Sequence, residues 1–204
     1  YGARNVLTVA FIAAVMTILI ATTVGMLSGL IGGWLDAVLM FFTNIILTVP
    51  SMPIMMLLAT VMSADNPIAF GFVLSIWSWA GLARAVRAQI MSVKNRDYIE
   101  AARMSGAGAF SIIRTHVLGN VLGPVFVYAT GLLSVSMILA SGLSFLGLGV
   151  KPPEPAWGLM LNTLRSAIYS NPWVAALPGV LIFVTSIAFN LLADSVRSAM
   201  DIRK

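Results

Sequence analysis

Five stretches of this chain carry no Asp, Glu, Lys or Arg: residues 5–35, 37–64, 66–83, 115–150 and 166–193. A bilayer's hydrocarbon core takes about 18 or more apolar residues to cross as a helix, the form that pairs every backbone amide and carbonyl within one segment. Each stretch meets that length. Five helices buried in one water-soluble core would instead need charged outer faces. A chain 59% hydrophobic and 9% charged has none to offer, since a soluble domain is about a quarter charged. The sequence therefore predicts an all-α, polytopic membrane protein with five transmembrane helices, near 6–31, 37–61, 67–89, 116–141 and 173–195. They form one transmembrane domain over residues 1–204.

The basic residues set the orientation. Arg84, Arg87, Lys94, Arg96, Arg103 and Arg114 fall around the loop after the third span, and Arg197, Arg203 and Lys204 follow the fifth. These are nine of the 12 Lys and Arg residues, and such an excess marks the cytoplasmic side. Residues about 90–114 are then cytoplasmic, whereas Tyr1 to Asn5, Ser63 to Asn66 and the loop at about 142–172, including Ala156, face outside. The net charge of +5 is this bias. A nucleic-acid partner is excluded, because the cations sit at membrane boundaries without interleaved exposed aromatics.

Within the cytoplasmic loop, Glu100-Ala101-Ala102-Arg103-Met104-Ser105-Gly106 reads as a short polar helix ending at glycine. Asp97 with Glu100 three residues on fits a capping box, and Gly106 suits the left-handed stop. On a helix over residues 98–105, Tyr98, Ala101, Ala102 and Ser105 share one face, small enough for a partner to approach the backbone. Two readings stand: a docking surface for another protein, or a loop helix lying on the membrane.

Gly25, Gly29 and Gly33 repeat every four residues, leaving a bare stripe for close helix packing or for a mechanistic contact. In the second span Pro50 and Pro53 remove backbone donors and break or kink the helix. Such a break in lipid is tolerated where neighbours or a water-filled path satisfy the freed carbonyls. Asn44, Thr48, Pro50 and Ser51 are accordingly candidate lining of a translocation path. The loop at about 142–172 holds Gly142, Ser144, Phe145, Gly147, Pro152, Pro153 and Trp157; its glycines and prolines forbid a continuous helix, yet its Leu, Phe and Trp are too apolar for free solution. The segment should fold back on the outer mouth. Ser144 is not a hydrolase nucleophile, because G-x-S-x-G lacks its second glycine at Leu146 and no histidine lies on that side.

The absence of cysteine removes disulfides and thiol chemistry, and the single histidine, His116, reads as an interfacial anchor. No G-x-x-x-x-G-K-[ST] loop occurs, so ATP is not bound by this motif here. Tyr1 in place of Met leads to the expectation that the chain lacks its natural beginning.

Glu100-Ala101-Ala102 with Gly106, and the helix through Asn120 to Pro124, resemble the EAA loop of permease subunits of bacterial ABC importers. The run from Gly142 through Gly147 and Gly149 to Pro152-Pro153, then Trp157-Gly158, resembles the dipeptide and oligopeptide branch, in its C-type subunit. Tyr1-Gly2-Ala3-Arg4, Val49-Pro50-Ser51, Asn171-Pro172-Trp173 and Ala188 to Leu192 continue the match along the whole chain. The resemblance implies a type I ABC importer permease fold in the bacterial cytoplasmic (inner) membrane, with a sixth helix ahead of Tyr1. The implied partners are a second homologous permease subunit, two ATPase subunits on the cytoplasmic face, an extracytoplasmic solute-binding protein and the lipid bilayer. The implied cargo is di- or oligopeptide, or in the same architecture nickel chelates, glutathione or other small solutes. No cofactor belongs to this chain, ATP and Mg being held by the partner subunits. Gly119 departs from the family's usual proline and leaves the bend there permitted but not imposed. Two other classes are weighed: a stand-alone secondary transporter, whose candidate ionisable residue, Asp194, is expected to pair with Arg197, and an intramembrane enzyme, for which no constellation exists.

Overall fold

The computed structural model describes residues 1–201, and every regular element among them is helical. In order these are α1 (Gly2–Ile31), α2 (Gly33–Thr48), α3 (Ser51–Val61), α4 (Pro67–Lys94), α5 (Asp97–Met104) and α6 (Ala109–Ile112). A π-helical turn (Ile113–Val117) leads into α7 (Leu118–Phe145), followed by α8 (Trp157–Leu164), a 3-10 turn (Arg165–Ile168) and α9 (Pro172–Asp201). Arg203, Lys204 and the side chain of Arg103, counted above among the basic markers, lie outside the described residues.

Among the described residues four stretches are long and apolar enough to cross a membrane: Gly2–Ile31, Pro67–Lys94, Arg114–Phe145 and Pro172–Met200. The chain is thus a multi-pass membrane protein. The expected second span at 37–61 is not one helix; α2 and α3 meet at 96° and make a fifth candidate only as a broken pair. Pro50 is the cause. The residue before a proline is driven out of the helical region, and Val49 is extended at ψ 134°. Pro53 contributes no break, because it falls in the first turn of α3, where amides have no intrahelical partner to lose.

α1 and α4 pack at glycine distance. A Cβ on Gly25 would stand 2.7 Å from the Ala83 carbonyl oxygen, and one on Gly29 would stand 2.9 Å from Ile90 Cβ, so the helices meet backbone to side chain. Gly33 does not belong to that stripe as expected from spacing. With Gly32 it forms the α1–α2 turn, both at positive φ (74° and 61°) and both in open space. Among the described residues the buried apolar side chains fall into two clusters. Val9, Met55, Phe70, Met137, Leu143 and Trp157 fill one half of the bundle; Leu82, Val86, Ile90, Ile99, Val121 and Val125 fill the half that carries α5.

Candidate functional site

At one end of the bundle α5 stands on a buried foot. Ile99 is 1% exposed and Ala102 packs beside it on the inner cluster, while Tyr98, Glu100, Ala101, Met104 and Ser105 are exposed. The face expected from spacing is therefore split: Ala102 turns inward, and the outward face is Glu100, Ala101, Met104 and Ser105. The capping box is not formed among the described residues. Asp97 is already the first helical residue, and the Arg96 carbonyl accepts from the Ile99 and Glu100 amides at 2.9 and 3.3 Å. Asp97 and Glu100 instead place two acids in the first turn, where the helix dipole favours them. The stop is as expected. Gly106 lies at φ 83°, and the Ala107 amide donates to the Ala102 carbonyl at 3.0 Å, a Schellman closure.

This short helix is held from both sides. Only Asn95 and Arg96 separate it from α4, and the Tyr98 ring lies 5.7 Å from the His116 imidazole in the π-turn that opens α7. Beside it Lys94, Asn95, Arg96, Glu100 and Met104 border a hollow of about 570 Å³. Gly119 sits in the first turn of α7 with nothing within 4 Å of a Cβ placed on it.

The broken pair α2–α3 presents Asn44, Thr48, Pro50 and Ser51 on an exposed face. Asn44 is not free there: its Oδ1 accepts from Arg84 Nη2 at 2.6 Å, and the Thr48 hydroxyl donates to the Asn44 carbonyl at 2.8 Å. One turn nearer α5, Arg87 donates from Nε and Nη2 to the two oxygens of Asp36, each at 2.6 Å, and Ser28 donates to the same carboxylate. Lys94 Nζ donates to the Leu30 carbonyl at 2.8 Å, satisfying an orphan acceptor at the end of α1. Spacing arguments missed this cluster, although a signal was present: Asp36 is the single charged residue between Arg4 and Asp65. The expected pairing of Asp194 with Arg197 does not occur among the described residues. Both are exposed, where an ion pair returns little for the side-chain entropy it costs. Arg197 instead borders a cavity of about 510 Å³ with Gln89, Asn120 and Tyr128.

The segment after α7 folds back on the opposite end, as its composition predicts. Gly147 and Gly149 take positive φ (82° and 117°), and Gly149 lies so close to Phe70 that a Cβ would stand 2.6 Å from its ring. Gly142, Ser144 and Phe145, expected in the loop, are instead the last turn of α7, which runs unbroken to Phe145 because nothing before Gly147 needs positive φ. Ser144 and Trp157 are buried, Gly142 is half-buried, and Phe145, Pro152 and Pro153 are exposed. Gly158 at the start of α8 presses on α7, where a Cβ would overlap the Ser141 carbonyl oxygen. Lys151 pairs with Asp65 at 2.7 Å, and Asn5 Nδ2 donates to Glu154 Oε2 at 2.8 Å and to the Pro155 carbonyl at 2.9 Å. These bonds tie the segment to the start of α1 and the α3–α4 turn. Ala156, expected to be reachable from outside, is 2% exposed. The three residue groups picked from sequence thus stand apart, at the α5 end, on the broken pair and at the far end, and α4 runs between all three.

The chain is 36% identical over 98% of its length to a glutathione transport system permease protein of Pectobacterium atrosepticum, of which it spans 66%. It is equally identical, again over 98%, to an oligopeptide transport system permease protein of Haemophilus influenzae, of which it spans 64%. A dipeptide transport system permease protein of Bacillus subtilis is 34% identical over 98% of the chain and 63% of the relative. The chain spans about two thirds of the length of these relatives. A chain of the MetNI methionine ABC transporter, solved in inward-facing conformations, superposes with TM-score 0.79 at 18% identity, covering 98% of this chain and 94% of that one, and so shares its fold. The model of the binding-protein-dependent transport system inner membrane component matches residues 21–203, and the chain belongs to that family.

Proposed function

We propose that this chain is the transmembrane permease subunit of a bacterial ABC importer that carries di- or oligopeptides across the cytoplasmic membrane. The observation that carries the reading is α5, a capped helix with an exposed small and acidic face, joined through two residues to α4 and through Tyr98 and His116 to α7. A push on such a helix moves two spans. ATP and Mg belong to two partner ATPase subunits docked on this face, and α2 with α3 counts as one broken span, for five in this chain. Asn44, Thr48, Pro50 and Ser51 lie on an open face. A second homologous permease subunit would complete the path along them. The folded-back segment around Pro152 and Pro153 stands where an extracytoplasmic binding protein would deliver cargo.

Peptide cargo is favoured because relatives are named for oligopeptides and dipeptides, and the glutathione for which another is named is itself a small peptide. Nickel chelates, glutathione or other small solutes are the alternative cargo for the same architecture. A stand-alone secondary transporter needs a titratable acid for ion coupling. Asp36 does not suit that role, being held bidentate by Arg87.

Orientation tests the reading, and the absence of native cysteine makes the test clean. Single cysteines at exposed Asn95 and Tyr169 are expected to react with an impermeant maleimide from inside and outside the cell respectively, while Ala156→Cys stays unreactive. Labelling of Asn95→Cys from outside would put α5 beyond reach of any ATPase. With orientation set, ATP-driven uptake of a labelled dipeptide by the assembled importer is the positive result.

A further inference from the structure

α2 is poorly anchored by apolar packing. Of its residues only Thr43 is buried, and the helix lies between two joints, the positive-φ pair Gly32 and Gly33 and the break at Val49 and Pro50. What grips it is polar. Arg84 and Arg87, one turn apart on α4, hold Asn44 and Asp36, two turns apart on α2, with all three donor distances at 2.6 Å. Ser28 of α1 bonds the same carboxylate, and Lys94 closes the end of α1. Three cations expected to be markers of the cytoplasmic boundary are therefore spent on ties within the chain. A fork donating to both carboxylate oxygens fixes direction as well as distance, which a point charge does not.

We propose that Asp36 and Arg87, supported by Arg84 and Asn44, are positioning residues that make α2 travel with α4, so that a displacement of α5 reaches the broken span. The inference rests on the permease reading and adds to it the route by which docking reaches the path. The motion is a rigid shift of α2 about its two joints, with the clasp kept closed.

The test is made on the assembled importer in proteoliposomes, measuring peptide taken up per ATP hydrolysed. In Asp36→Asn and Arg87→Gln, ATP hydrolysis persists and uptake per ATP falls at least about fivefold, the low end of ordinary coupling between sites. Arg87→Lys, which restores charge without the fork, recovers part of the loss. Uptake per ATP within about twofold of the unaltered importer in both neutral variants overturns the proposal. A second measurement leaves the clasp intact. Spin labels on cysteines at exposed Ala37 and Ala88 should report the same separation in the nucleotide-free and ATP-trapped states. A change of about 5 Å, one helical turn, overturns the proposal even if the neutral variants never reach the membrane. Absence of ATP-driven uptake by the unaltered importer would instead bring down the permease reading itself.

Discussion

Gly158→Ala is expected to remove most of the folded protein from the membrane. The added Cβ would overlap the Ser141 carbonyl oxygen and lie 2.8 Å from Ser144 Cβ, and a backbone carbonyl inside α7 cannot swing aside as a side chain can. The helices must separate, which costs about 3 kcal/mol in a close-packed interior and loosens buried Trp157 with them. Gly119→Ala is the matched control, since nothing lies within 4 Å of its Cβ. Replacing a helical glycine there should be neutral or add about 0.5–1 kcal/mol. Thermal denaturation of the two variants in detergent measures the contrast. Equal melting temperatures would mean that α8 does not press on α7.

Glu100→Lys is expected to abolish ATP-coupled uptake while leaving insertion intact. The side chain is exposed, so the folded chain loses no packing. Three consequences fall on the docking face. The first turn of α5 loses one of its two acids, the new cation opposes the helix dipole, and the hollow shared with Lys94 and Arg96 exchanges its acid for a third cation. A reversed charge at a docking surface acts chiefly on association with the partner, and uptake should fall about a hundredfold. Near-normal uptake at normal abundance would remove α5 from the coupling route.

The class of this protein was legible because the bilayer demands long charge-free runs and the chain has five of them. Local signals with one dominant cause also read correctly. Gly106 had to be left-handed to end a helix, and it is; the glycines and prolines from Gly147 on interrupt α7, although Gly142, expected to do so, lies inside it. Where two physical causes share one sequence pattern, the pattern does not distinguish them. Pro50 and Pro53 looked alike in sequence, but Pro50 forces Val49 out of the helix whereas Pro53 falls in the tolerant first turn of α3. Gly33 continued a stripe by spacing yet belongs to a turn. Ala102 and Ala101 are interchangeable by size, and only tertiary packing against the inner cluster decides which faces out. The clasp of Asp36 with Arg87 was hidden for a different reason. Its partners are 51 residues apart, and no local period encodes such a pairing.

On the proposed reading, α5 is the surface on which an ATPase subunit docks. Ala101 is exposed at the middle of that surface and small enough to replace without disturbing the helix. A photo-crosslinker on Ala101→Cys in the assembled importer should give a covalent adduct with the ATPase subunit, and the yield should change with nucleotide. Adducts confined to lipid, in a complex that still hydrolyses ATP and takes up peptide, would show that α5 lies on the membrane and that coupling runs elsewhere.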